Sequence, residues 1–119
     1  ASPPPLPWSW LTQEEFDAYV HEFSHSGFFG PVSWYRNLNA NYENTHHIPV
    51  DQIAMPTYFI TGEHDPVNLL NSTAIEYMSQ TLPNFKGGSV IPNAGHWVQQ
   101  ESPVAFNEAL FQFLNSLDA

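Results

Sequence analysis

The C-terminal half of the chain contains a strand, a helix and a second strand in that order, which limits the folds open to it. Residues 57–61 (TYFIT) are β-branched and aromatic between Pro56 and Gly62, and this pattern predicts a strand buried on both faces. The sequence predicts a helix at 71–80 and a second short strand at 89–91. The order predicts a parallel pair of strands joined by a right-handed crossover.

The predicted sheet is too small to be a complete domain. Parallel strands occur almost only in larger sheets that helices cover on both faces. The 119 residues offer two convincing strands, followed by a last helix that begins with Ser102 as N-cap and Pro103 as first residue. We therefore assign the chain to the α/β class, as the C-terminal segment of a larger α/β domain.

A helix with an apolar stripe is predicted near the start of the chain. Thr12 and Glu15 fit a capping box, and Gly27 is a typical helix end. The apolar side chains follow at helical spacing and should form the buried face: Phe16, Tyr19, Val20 and Phe23.

The chain changes character at Ile48. Residues 1–10 hold four of the eleven prolines, and a turn at 27–31 should precede a second helix at 34–42. We divide the sequence into a proline-rich and helical portion, 1–47, and an α/β portion, 48–119.

Charge and composition exclude several functions. Two basic against twelve acidic residues give a net charge of −10, which excludes nucleic acid as a partner. No apolar run approaches the roughly 18 residues of a membrane span. No basic and then apolar segment marks a signal peptide, so we expect a cytoplasmic protein. The absence of cysteine excludes disulfides and a thiol nucleophile.

An acid and a histidine follow the two predicted strands. Asp65 comes four residues after the first strand and His96 five residues after the second. Ligands of open α/β sheets bind at this edge, where a carboxylate can orient an imidazole and stabilise its protonated form. An ordinary Asp-Pro turn and a histidine that satisfies local backbone groups are the alternative.

Three segments resemble a known family. ITGEHDPV resembles the acid turn of α/β-hydrolases, and VIPNAGHWVQQESPVAFNEALFQFL resembles their histidine loop and closing helix. Residues 11–43 resemble the second half of the helical cap of epoxide hydrolases, including the motif SWYRN. The resemblance implies the C-terminal segment of an α/β-hydrolase fold with part of a helical cap.

The resemblance also implies roles for individual residues. It makes His96 the base that activates water, Asp65 its orienting carboxylate and Tyr35 a hydrogen-bond donor to the epoxide oxygen. Trp34 and Trp97 become candidate substrate-binding residues, with packing as the alternative. The implied reaction converts an epoxide and water to a diol through an alkyl-enzyme ester, without a metal or organic cofactor.

Other motifs of the family have no counterpart in these 119 residues. The nucleophilic Asp, the oxyanion loop and the first cap tyrosine all lie N-terminal of this segment in the family. We therefore expect the chain to be inactive alone and to need a missing N-terminal segment that carries the nucleophile. Alternatives are another α/β-hydrolase, such as a haloalkane dehalogenase or esterase, and a non-catalytic fragment that associates with another α/β subunit.

Two short motifs suggest other functions. HEFSH matches the zinc motif H-E-x-x-H, with His21 and His25 as ligands, Glu22 as base and Glu43 as a distant third ligand. The apolar stripe of the same helix instead predicts that these side chains face solvent. PPPLP resembles a polyproline ligand, although a stiff linker is the simpler interpretation.

Overall fold

The computed structural model describes residues 8–70 and 73–117. The chain divides into two compact units, Ala1–Pro49 and Val50–Ala119, called here the N-terminal and the C-terminal unit. Within the described ranges, no helix has the length and apolar character needed to cross a membrane.

The N-terminal unit begins with the predicted capped helix, α1 (Gln13–Ser26). The Thr12 hydroxyl accepts from the Glu15 amide at 3.2 Å, and the Glu15 carboxylate accepts from the Thr12 amide at 2.8 Å. The backbone hydrogen bond from Thr12, followed by its side-chain bond, lowers the pKa of Glu15. Gly27, at φ 65°, ends the helix. The predicted capping box and helix end are confirmed.

The predicted buried face of α1 is wrong for this unit. No residue of α1 is buried, and Phe16, Tyr19 and Val20 are each at least one-third exposed. The periodicity identified the apolar face correctly, but the described part of the unit does not cover it.

Two helices, α2 (Phe29–Arg36) and α3 (Leu38–Thr45), replace the single helix predicted at 34–42. Pro31 lies in the first turn of α2, where a missing amide removes no intrahelical bond, so the turn predicted at 27–31 is helical from Phe29 onwards. The Asn37 side-chain amide donates to the Ser33 carbonyl at 3.0 Å. This hydrogen bond competes with the backbone hydrogen bonds of the helix and therefore favours the break between α2 and α3.

The C-terminal unit is an α/β arrangement around two parallel strands. After a 3-10 turn at Val50–Gln52, its elements are, in chain order, β1 (Thr57–Gly62), α4 (Pro66–Leu70), α5 (Ala74–Thr81), β2 (Phe85–Ile91), α6 (Val98–Glu101) and α7 (Pro103–Asn115). Ile60 pairs with Ser89 and Gly62 with Ile91, which confirms the predicted parallel pair. Positions 71 and 72 of the predicted helix lie outside the described residues.

The second strand is longer than predicted because two glycines belong to it. β2 starts at Phe85, and Gly87 and Gly88, a pair that is typical of a break between elements, lie inside it. A β-carbon on Gly88 would lie 2.9 Å from the Phe59 carbonyl oxygen, so glycine allows a close approach of the two strands. The pairing register shifts between Thr57 and Phe59, as at a β-bulge.

The core lies at the carboxyl end of the sheet. β1 is buried only at Thr61 and Gly62, so the prediction of burial on both faces is wrong for most of the strand in the described chain. The core cluster joins the end of β2 to the following loop, α6 and α7: Ile91, Ala94, Val98 and Ala109. Tyr58 adds a stacking contact with Phe113 at 5.2 Å between ring centroids. This packing anchors the loops at the sheet edge.

Candidate active site

Asp65 and His96 face each other at the carboxyl edge of the sheet. The Nδ1 atom of His96 lies 3.1 Å from each carboxylate oxygen of Asp65. Asp65 is 7% exposed, whereas the side chain of His96 is 50% exposed. The carboxylate is therefore shielded, and the imidazole reaches from it to the surface.

Backbone contacts hold the two loops together. The Glu63 amide donates to the Ile91 carbonyl at 2.9 Å, and the His64 amide donates to the Ala94 carbonyl at 2.8 Å. Asn93, at a left-handed φ of 58°, donates its amide to the Glu63 carboxylate at 3.0 Å. These bonds fix the turn that carries Asp65 against the loop that carries His96.

Three neighbours orient the Asp65 carboxylate. The Val67 amide donates to Oδ1 at 2.8 Å, and hydrogen bonding from the Thr61 side chain helps to lower the pKa of the carboxyl group. The Asn68 side-chain amide donates in turn to the Thr61 hydroxyl and, at 3.1 Å, to the Gly62 carbonyl. Sequence analysis missed Thr61 and Asn68. Their signal was positional, since Thr61 ends the strand predicted at 57–61 and Asn68 lies on the first helical turn after the acid.

The balance of these contacts keeps Asp65 ionised. Burial is the strongest single influence on its pKa and would raise it, but the hydrogen bonds from Val67, His96 and Thr61 and the charge of His96 outweigh burial and lower the pKa. An ionised carboxylate can only accept, so Nδ1 of His96 donates to it. This assigns the free lone pair of the neutral ring to Nε2.

The outer side of the His96 ring is open. Among residues 8–70 and 73–117, no side chain or backbone group hydrogen-bonds its Nε2. The exposed Trp97 ring lies beside it, with ring centroids 5.2 Å apart at an interplanar angle of 73°. A water molecule at Nε2 could lose its proton to the ring, as general-base catalysis requires.

The structure brings Asp65, His96 and Trp97 together, and places the other two predicted site residues in the N-terminal unit. Trp34 and Tyr35 lie on α2, and Tyr35 is 66% exposed. On the same helix, the Arg36 guanidinium lies 5.4 Å from the Phe29 ring centroid, a cation–π contact.

The HEFSH segment has no metal-binding arrangement in the described part of the chain. The His21 and His25 rings are 4.5 Å apart, but His25 Nδ1 is engaged with the His21 carbonyl at 2.8 Å. No group of three potential His, Cys, Asp or Glu ligands occurs among the described residues, so Glu43 does not complete a site there. The zinc alternative gains no support.

The chain is similar in sequence and structure to several known proteins. No family model matches the chain. Epoxide hydrolase A of Mycobacterium tuberculosis is 39% identical over 110 residues, which are 92% of this chain and 34% of that protein. Bifunctional epoxide hydrolase 2 of Sus scrofa is 33% identical over 106 residues, 89% of this chain and 19% of that protein.

Solved structures give the same result. An epoxide hydrolase variant of Vigna radiata matches with a TM-score of 0.83 and 36% identity, over 96% of this chain and 37% of that one. Epoxide hydrolase A of Mycobacterium thermoresistibile matches with a TM-score of 0.81 and 40% identity, over 95% of this chain and 34% of that one. The chain spans about a third of the length of these solved relatives.

Proposed function

This chain is homologous to epoxide hydrolases of the α/β-hydrolase fold along part of their length, and we propose that the protein containing it hydrolyses epoxides to diols. The predicted fold class, an α/β-hydrolase segment, is confirmed by the structural neighbours. The observation that carries the proposal is the Asp65–His96 pair at the strand ends, with Nε2 of His96 open to water. The substrates are a small epoxide and water.

The proposed reaction has two covalent steps. A carboxylate oxygen of an Asp outside this chain attacks an epoxide carbon, the ring carbon–oxygen bond breaks, and the ring oxygen takes a proton from Tyr35 to become a hydroxyl. His96 then takes a proton from water at Nε2, and the hydroxide adds to the ester carbonyl. The ester bond breaks, the leaving oxygen takes the proton from His96 to release the diol, and the regenerated Asp carboxyl group returns its proton through solvent to the Tyr35 phenolate. Asp65 stabilises the imidazolium between these transfers.

Tyr35 supplies the acid for ring opening in this proposal. The phenol hydroxyl can donate a hydrogen bond, and then its proton, to the developing alkoxide. Trp34, its neighbour on α2, and Trp97, beside His96, bind the substrate.

The nucleophile completes the site from a segment outside these residues. We therefore expect residues 1–119 alone to produce no diol from an epoxide. A haloalkane dehalogenase or an esterase would use the same acid and histidine, so the epoxide assignment depends on Tyr35 and on the relatives. A cytoplasmic location stays a prediction from the sequence.

An isotope experiment on the intact gene product tests the proposal. The enzyme, in excess over styrene oxide in H₂¹⁸O, should place ¹⁸O in its own nucleophilic carboxylate and leave the first diol unlabelled, because water attacks the ester carbonyl. Mass spectrometry of the diol and of the digested protein reads both positions. Label in the first diol would contradict the ester mechanism, and absence of diol would contradict epoxide hydrolysis.

A further inference from the structure

The Glu101 carboxylate holds the backbone on both sides of His96. The Gly95 amide donates to its Oε2 at 2.6 Å, and the Trp97 amide donates to its Oε1 at 3.0 Å. Glu101 is half-buried and ends α6, five residues after the histidine. Each carboxylate oxygen therefore accepts a hydrogen bond from a different chain neighbour of His96.

The helix that carries Glu101 is itself anchored. Val98, at the start of α6, is buried in the core cluster, and the amides of Gln100 and Glu101 both donate to the Trp97 carbonyl at 2.8 Å. The carboxylate thus connects the histidine loop to a fixed point of the core. Without it, backbone rotation at 95–97 would have fewer restraints.

The contact between the Glu101 carboxylate and the histidine loop places requirements on the residues at both of its ends. Two amide donors need two acceptor oxygens, which a carboxylate offers and a carboxamide does not, since one end of a carboxamide is a donor. At the other end, a β-carbon on Gly95 would lie 3.0 Å from both oxygens of Glu101. Glycine at 95 lets the carboxylate approach the loop without displacement.

We propose that Glu101 is a positioning residue that fixes the His96 backbone, so that Nδ1 stays on Asp65 while Nε2 faces the attacking water. Glu101 does not touch the reacting atoms in this proposal. The catalytic consequence rests on the proposed function, but the effect on the His96–Asp65 hydrogen bond concerns residues of this chain alone.

The test compares Glu101→Gln with Glu108→Gln in the intact gene product. Glu108 is an exposed glutamate of α7 and controls for the loss of one charge. Glu101→Gln should slow hydrolysis of the alkyl-enzyme ester about 10- to 100-fold, because small displacements of a catalytic group have effects of this size. Ester formation should change less than about twofold, since it does not use His96, and Glu108→Gln should match the wild type.

A spectroscopic readout separates positioning from general destabilisation. In ¹⁵N-labelled protein, the Nδ1 proton of His96 should give a downfield resonance, which Glu101→Gln should broaden or shift and Glu108→Gln should preserve. Gly95→Ala keeps the carboxylate but crowds it with a β-carbon, so it should also slow ester hydrolysis selectively and weaken the Nδ1 resonance. It replaces Glu101→Gln if that variant does not fold.

Two results would overturn the proposal: an unchanged Nδ1 resonance with unchanged ester hydrolysis, or an equal loss in ester formation and hydrolysis. If the wild-type protein forms no diol, the proposed function fails, and the resonance comparison alone decides whether Glu101 positions His96.

Discussion

Gly62 lies so close to the loop of His96 that a β-carbon on it would overlap the carbonyl oxygen of Gly95. The same atom would overlap the Ala94 carbonyl, so the turn bearing Asp65 and the loop bearing His96 meet backbone against backbone. Neither carbonyl is on a flexible side chain that could move aside. Gly62 therefore sets the spacing within the acid–histidine pair.

Gly62→Ala should separate the two loops. We expect the free energy of unfolding of the intact gene product to fall by about 1–3 kcal/mol or more, the range for overpacking a tight site. The downfield Nδ1 resonance of His96 should also weaken. Urea denaturation and NMR measure the two effects.

Gly30→Ala is the matched control for this prediction. Gly30 lies in α2, and among the described residues no atom outside its chain neighbours and its own helix backbone lies within 4 Å of an added β-carbon, so alanine should be neutral or stabilise the helix by up to about 1 kcal/mol. Equal effects of the two substitutions would show that the Gly62 contact does not constrain the loops.

His96→Gln should permit the first covalent step and block the second. Without the base, the alkyl-enzyme ester should accumulate, and turnover should fall by about 100-fold or more, the lower range for loss of a general base. Intact-mass spectrometry after mixing with styrene oxide should show the added mass of one epoxide. His64→Gln changes a neighbouring exposed histidine and should turn over normally. Normal turnover by His96→Gln would remove His96 from the mechanism.

The lowered pKa of Asp65 predicts how its contribution to stability changes with pH. Because its pKa in the folded state lies below the ordinary value of 3.8, the ionised form stabilises the fold above that pH, and the contribution is lost as the pH falls through the folded pKa. The difference in unfolding free energy between wild type and Asp65→Asn should shrink below pH 3.8. Asp51→Asn, at an exposed carboxylate of the same unit, controls for net charge.

The opposite result would be informative for the same pair. If the stability difference between wild type and Asp65→Asn grew as the pH fell below 3.8, burial would dominate the carboxyl group instead of its hydrogen bonds. The pKa of Asp65 in the folded state would then lie above 3.8, against the direction that its hydrogen bonds give it.

Local rules explain what could be predicted from this sequence. The Thr12–Glu15 capping box and the start of α7 at Pro103 depend on neighbours within four residues, and both formed as expected. The order of strand, helix and strand sufficed for the parallel pair, and that pair placed Asp65 and His96 at one edge.

Contacts through space explain what could not be predicted. Gly87 and Gly88 carry the usual signal of a turn, but close approach to β1 keeps them in a strand. The sequence assigned no role to the groups that orient the pair, Thr61, Asn68 and Glu101, because their roles arise from distances set by the fold. Apolar periodicity on α1 likewise indicated a face without indicating what covers it.

Thr61→Val tests the support beneath Asp65. Thr61 is buried and its hydroxyl connects Asn68 to the carboxylate, so valine should cost about 1–3 kcal/mol by removing one of the two acceptors of the Asn68 amide, the other being the Gly62 carbonyl. The pKa of Asp65 should rise, because one hydrogen bond that lowers it is lost. Urea denaturation and a ¹³C titration of the carboxyl group measure these changes.

The chain provides a control of the same chemistry in the same strand. The buried Thr57 hydroxyl has no hydrogen-bond partner in the described residues, so Thr57→Val should be neutral or stabilising. If Thr57→Val and Thr61→Val had equal effects, the cost would reflect loss of threonine from β1 and not loss of the network.

Tyr35→Phe tests the residue that distinguishes epoxide opening from other reactions of the same acid and histidine. The exposed hydroxyl can be removed at little cost to packing, so stability should be unchanged while ester formation slows by about 10- to 1000-fold, comparable to loss of one oxyanion donor. Single-turnover kinetics of the intact gene product isolate this step, and Tyr42→Phe, an exposed tyrosine of α3, is the control. Ester formation at the wild-type rate in Tyr35→Phe would return Tyr35 to an ordinary surface residue. The acid–histidine pair would then support only an α/β-hydrolase of unassigned substrate, because that pair serves esters and haloalkanes as well as epoxides.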